Sequence, residues 1–185
     1  MEIVLEPVDP EEFPCPAGWT VVGRVVSHAL AYDPERRPHL IGEDPMVLNP
    51  EDISHYLYRA VDAAADRLWP GGWTHSMAEA FLLDRRSLSP ARFARQAPSP
   101  AVLLALAQAA DSPDPVAFGA LLLAMSRYSK AVEGAGPIER LDRTLEAARR
   151  AGEILRVTRL GKTIWQDRQQ GSGGIFIDSS LRNRG

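Results

Sequence analysis

Gly161-Lys162-Thr163 is the segment of this chain whose residue types suggest phosphate chemistry, because it matches the end of a phosphate-binding loop. Such a loop also needs a glycine five residues earlier, between a strand and a helix, so that backbone N–H groups can wrap the phosphates. Arg156 stands at that place, and Thr163-Ile164-Trp165-Gln166 beyond it alternates like a strand, so the tripeptide reads as a hairpin turn. Cys15, His28, His39, His55 and His75 contain no Cys-x-x-Cys pair and no two histidines three or four residues apart. Tetrahedral metal sites use such local pairs because one short segment then presents two ligands in fixed geometry. Cys15 lies between Pro14 and Pro16, with no helix N-terminus to stabilise a thiolate. No Gly-x-Ser-x-Gly elbow occurs. The carboxylate pairs Glu11-Glu12, Glu43-Asp44 and Glu51-Asp52 read as solvated loop charges or helix-start charges. The expectation is therefore no catalytic set, no metal site and no cofactor.

Two groups of residues bear instead on recognition. Trp69-Pro70-Gly71-Gly72-Trp73 sets two tryptophans about a tight turn. Either both rings fold back onto the core, or Trp69 and Trp73 anchor a partner, as exposed tryptophans do at binding hot spots. Arg140, Arg143, Arg149, Arg150, Arg156, Arg159 and Lys162 form a basic series near the C-terminus. They would contact nucleic acid or an acidic partner.

The elements that must position these residues follow from composition and punctuation. With 185 residues, 45% hydrophobic and 24% charged, the chain is long enough for a sizeable core without disulfides, and its one cysteine excludes a stapled scaffold. Residues 1–48 hold seven of the 15 prolines and read as an extended, acidic arm with strands at Glu2–Val8 and Thr20–Val26. Gly23 inside the second strand marks a bulge or a close neighbour. Ala31 to Met46 reads as a polar loop. Asn49-Pro50, Ser89-Pro90, Ser99-Pro100 and Asp114-Pro115 each place a capping side chain before a proline, and Gly136-Pro137 is a weaker form of the same signal. Ser76, three residues before Glu79, has capping-box spacing. Helices are expected at 50–69, 76–86, 90–96, 100–110, 115–132 and 137–154, the fourth central, the fifth nearly as apolar, and the last packing Ile138, Leu141, Leu145, Ala148 and Ile154. Leu155–Leu160 and Thr163–Gln166 read as a β-hairpin.

The fold class expected is mainly α, a bundle of five to six helices with a small β element from N-terminal strands and a C-terminal hairpin. It is one domain in three stretches: an arm at 1–48, a helical body at 49–154, and a hairpin with a polar tail at 155–185. The longest apolar run, Val116 to Met125, is about half a membrane span, and the acidic N-terminus lacks a signal peptide's basic region, so no membrane partner is expected. The net charge of −3 conceals a gradient: −8 over residues 1–53, +1 over 54–136 and +4 over 137–185. Such polarity suits contact with another macromolecule.

Two functional readings follow. The first is a non-enzymatic interaction or assembly subunit, docking other protein subunits through an acidic front and a basic back. It would lie in the cytoplasm or within a macromolecular assembly such as a virion, as adaptors of phage and bacterial machines do. For the second, the order of helices 100–110, 115–132 and 137–154 followed by a hairpin resembles winged-helix proteins. That resemblance implies nucleic-acid binding, with Arg140, Arg143, Arg149 and Arg150 on the recognition helix and Arg156, Arg159 and Lys162 on the wing.

Overall fold

The computed structural model describes residues 1–42 and 44–160, with side chains through Arg159. Its elements are strands β1 (Thr20–Val25), β2 (His28–Tyr32), β3 (Pro38–Ile41) and β4 (Met46–Val47), then helices α1 (Pro50–Leu68), α2 (Trp73–Ala80), α3 (Pro90–Phe93), α4 (Pro100–Ala110), α5 (Pro115–Ala131) and α6 (Pro137–Leu160). A short 3-10 turn, Arg85–Leu88, precedes α3. The protein is mainly α with a small antiparallel sheet. It divides into two compact units, Met1–Arg127 and a second that begins at Tyr128, with the division inside α5.

The helix starts obey the local chemistry of the sequence. Prolines 50, 90, 100, 115 and 137 each open a helix. The Asn49 side chain accepts from the Glu51 N–H at 3.2 Å, Ser99 Oγ from the Val102 N–H at 3.4 Å, and Asp114 Oδ1 from the Ala117 N–H at 3.0 Å. These bonds satisfy donors that have no partner inside the helix. Asn49→Ala is expected to destabilise the first unit by about 1 kcal/mol, checked by urea unfolding. Ser76 is not a cap. The α2 helix begins at Trp73 and ends at Ala80, so Ser76 lies inside it and the expected 76–86 helix is shorter and earlier.

The sheet is a meander in the order β1-β2-β3-β4. The segment 31–46, expected to be a polar loop, in fact supplies the end of β2, the whole of β3 and the first residue of β4. Leu30 and Tyr32 face the main core while Ala29, Ala31 and Ile41 face a second cluster with Phe13. Cover on both faces removes the alternation by which a half-buried strand is recognised. Expected strand Glu2–Val8 reduces to one bridge, in which Val4 and Arg24 exchange N–H···O bonds at 2.9 Å. Gly23 meets both of its expected reasons: the β1–β2 register shifts between Val21 and Gly23, and a Cβ there would sit 2.1 Å from the Val4 carbonyl oxygen.

The main core joins Ile3, Leu5, Val22 and Val25 to α1 (Ile53, Leu57, Val61, Leu68), α4 (Leu103, Leu106, Ala107) and Phe93. The central place expected for α4 holds, since it packs on both β1 and α1. The α5 helix differs from expectation. Gly119 is its one fully buried residue; Leu122 and Leu123 pack partly on the core, and Val116, Phe118 and Leu121 are exposed. Close approach at Gly119, whose Cβ would lie 2.6 Å from the Leu68 carbonyl oxygen, leaves no room for a larger side chain there.

The α6 helix departs furthest. It runs to Leu160, so the first strand of the expected hairpin, Leu155–Leu160, is helical, and the 3.6-residue pattern of the helix simply continues through it. The second strand, Thr163–Gln166, and Lys162 lie outside the described residues. The expected packing of Ile138, Leu141, Leu145 and Ile154 gives way to exposure: 80%, 54%, 50% and 53%. No helix among the described residues is long and apolar enough to cross a membrane.

Candidate interaction surfaces

The described members of the basic series, Arg140 to Arg159, lie on α6, and two of them are neutralised within the helix. Arg143 bonds Glu139 one turn earlier. Arg149 is held from both sides, by Glu146 at 2.6 and 3.0 Å and by Glu153 at 2.7 Å. The Arg149 guanidinium draws the Glu146 carboxyl below its usual range, and Glu146 in turn raises Arg149. Arg140 is half-buried, and its carbonyl oxygen accepts the Thr144 hydroxyl at 2.7 Å. Arg150, with Asp142, Glu146, Tyr128 and Val132, lines a shallow concavity between the end of α5 and α6. Arg156 and Arg159 are exposed. Arg143 and Arg149 therefore belong, with Glu139, Glu146 and Glu153, to a solvated ladder of ion pairs at i±3 and i±4. Each such exposed pair adds little stability.

At the acidic end, the charge is partly organised around Arg24. Glu12 accepts from its guanidinium at 2.9 Å and Glu6 lies 3.0 Å away, while the Phe13 ring sits 5.1 Å beneath. Glu2, Asp9, Glu11, Asp44, Glu51 and Asp52 are exposed.

Trp69 and Trp73 are core residues, 7% and 6% exposed, so the reading of them as exposed anchors gives way to the alternative in which both rings fold back. Trp73 Nε1–H donates to Asp62 at 2.6 Å, and its ring lies 6.3 Å from Tyr58. Trp69 meets Phe81 edge-on at 6.2 Å. The glycine turn between them, with Gly71 at φ +81, lets both rings return to the same core.

One polar cluster was not legible as a site. Asp33, at the end of β2, accepts from the Arg37 N–H at 2.8 Å, from Arg37 Nε at 2.6 Å, and faces His39 Nε2 at 3.2 Å. Trp19 lies over His39 at 4.2 Å between ring centroids. Burial opposes the Asp33 charge, but the Arg37 amide and guanidinium and the His39 ring outweigh it and bring the carboxyl down to about 2. The side chains of Asp33 and His39 are 2% and 7% exposed, so a substrate does not reach them. The cluster clamps the β2–β3 turn. The signal for it was an aspartate before a proline, the pattern of a turn whose side chain captures backbone N–H groups.

Cys15 is half-buried and burial pushes its thiol up, the reverse of what a nucleophile requires. Among the described residues, no cluster of three or more His, Cys, Asp or Glu could hold a metal ion. The N-terminal segment 1–5 and α1 enclose a groove of about 510 Å³ floored by Ala60, Ala63 and Ala64 and edged by Arg59 and Arg67.

Set beside known proteins, the chain matches no family model, no curated protein and no solved structure.

Proposed function

We propose that this protein is a non-enzymatic interaction subunit of a multiprotein assembly, of the kind that adaptors of phage and bacterial machines represent. The observation that carries the reading is the exposed apolar stripe of α6, Ile138, Leu141, Leu145 and Leu155; in the first unit, Val116, Phe118 and Leu121 of α5 are exposed as well. Large apolar side chains in register along one helix mark an interaction site when they stand in contact with water. The charge gradient from −8 over residues 1–53 to +4 over 137–185 adds complementary fields that orient the encounter.

The winged-helix alternative loses support from two features. Residues 155–160 belong to α6 and not to a wing, and Arg143 and Arg149 already bind carboxylates of their own helix. The test combines mass in solution with binding to duplex DNA at two salt concentrations. The expected result is a species larger than the 20.3 kDa chain, or a stoichiometric complex with another protein, and no retention of DNA. A monomer with no partner overturns the reading. So does DNA binding that collapses steeply with salt, the signature of counterion release.

A further inference from the structure

The apolar residues of α6 repeat with heptad spacing: Ile138, Leu141, Leu145, Ala148, Gly152 and Leu155 stand alternately three and four residues apart. That spacing is the seam of a two-stranded coiled coil, positions a and d, and from Ile138 to Leu155 it extends about 26 Å. Every member of the stripe except the half-buried Ala148 is exposed. From this stripe the geometry points to a partner: α6 of a second copy of this chain, packed antiparallel about a two-fold axis level with Glu146 and Ala147. This deepens the assembly reading, on which it rests, by naming one partner.

Orientation follows from side-chain volume. In an antiparallel pair, each a position meets a d position of the other helix. Leu141 then packs opposite Gly152, Leu145 opposite Ala148, and Ile138 opposite Leu155, so each leucine of the inner layers fills the space left by a small residue. A parallel pair would stack leucine on leucine in three layers and leave voids at Ala148 and Gly152, and unfilled space in a core is costly. Charge selects the same orientation. The flanking row at position e is Asp142, Arg149 and Arg156, while the row at position g, Thr144, Ala151 and Thr158, is uncharged. Antiparallel packing sets e beside e, which brings Asp142 of each helix beside Arg149 of the other, a third carboxylate for a guanidinium that also bonds Glu146 and Glu153 of its own helix. Parallel packing sets e beside g and pairs no charges. Such a contact is isologous and closes at two copies.

The test uses the full chain. Light scattering across roughly a hundredfold range of concentration should give twice 20.3 kDa for the wild type. Leu145→Glu should reduce it to one chain without changing the helical circular dichroism, whereas Ile154→Glu, exposed but on the far side of α6, should leave the dimer intact. In a Cys15→Ser background, Leu141→Cys mixed with Gly152→Cys should form an interchain disulfide. Leu141→Cys alone should not, because in the antiparallel pair its two copies lie about 16 Å apart along the axis.

A disulfide from Leu141→Cys alone would overturn the antiparallel arrangement. A dimer that survives Leu145→Glu would overturn the use of this stripe while leaving the assembly reading standing. A monomeric wild type in which Leu145→Glu raises hydrogen exchange across residues 161–185 would overturn it in favour of the chain's own C-terminal segment. A monomer that forms a defined complex with a different protein would remove self-pairing alone, and a monomer with no partner at all would remove both readings.

Discussion

Replacing Gly23 with alanine is expected to lower the stability of the first unit by about 3 kcal/mol, a fall of roughly 10 °C in its melting temperature. The reason is steric. A Cβ at that position lies 2.1 Å from the Val4 carbonyl oxygen and 3.0 Å from the Leu5 Cα, both of them backbone atoms that no rotamer change can move aside. Relief requires the 3–5 segment to leave β1. That movement breaks the paired Val4–Arg24 hydrogen bonds and exposes Ile3 and Leu5, which are 6% and 4% exposed in the folded chain. Thermal melts give the magnitude, and hydrogen exchange locates it, with protection lost first at the amides of Val4 and Arg24. A variant that melts with the wild type would show that the segment is not held at this point.

The second large effect is expected at Asp33. In Asp33→Asn one side-chain oxygen can still accept from the Arg37 N–H, but the amide NH₂ then stands where a carboxylate received Arg37 Nε and faced His39. Donor faces donor in a buried position, which costs more than the bond it replaces. The variant should melt several degrees below the wild type at neutral pH. The pH dependence carries the sign. The folded carboxyl titrates at about 2, below the value of about 3.9 in an unfolded chain. Its stabilisation is therefore complete above the unfolded value and is lost as pH falls from about 5 towards 2. The gap between wild type and Asp33→Asn should narrow over that interval. A gap that is the same at pH 3 and pH 7 would show that the charge contributes nothing.

The helix starts that a proline opens were the readable part of this protein. A capping side chain before a proline is a local device: the proline fixes its own φ and gives up a donor that had no partner, and the cap satisfies a neighbour. All four such prolines open helices, and so does Pro137 after Gly136. The strands were only partly readable. Residues 20–25 announce themselves through β-branched density, but β2 and β3 hold His-Ala-Leu-Ala-Tyr and Pro-His-Leu-Ile, where small and aromatic residues serve two buried faces at once. Period-2 alternation is a record of one face in water, and here neither face is.

The candidate surfaces divide along the same line. The apolar and charged rows of α6 are present in the sequence, because a 3.6-residue repeat needs no tertiary information to be seen. Whether such a row is covered depends on what packs against it, and the same stripe that would have passed for an inner face is half or more exposed at Ile138, Leu141 and Leu145. Trp69 and Trp73 are the converse case, residues with the composition of an anchor that two glycines turn inward.

What the sequence determined by itself was therefore the five helix starts that a proline opens, the bulge at Gly23, and the charge gradient hidden within a net −3, each a property of neighbours along the chain. Tertiary structure decided which faces meet water. It buried the two tryptophans, drew Asp33 and His39 into a closed clamp, and left the apolar seam of α6 outside. Burial is set by contacts between residues far apart in the chain, and no local pattern of residue types contains them.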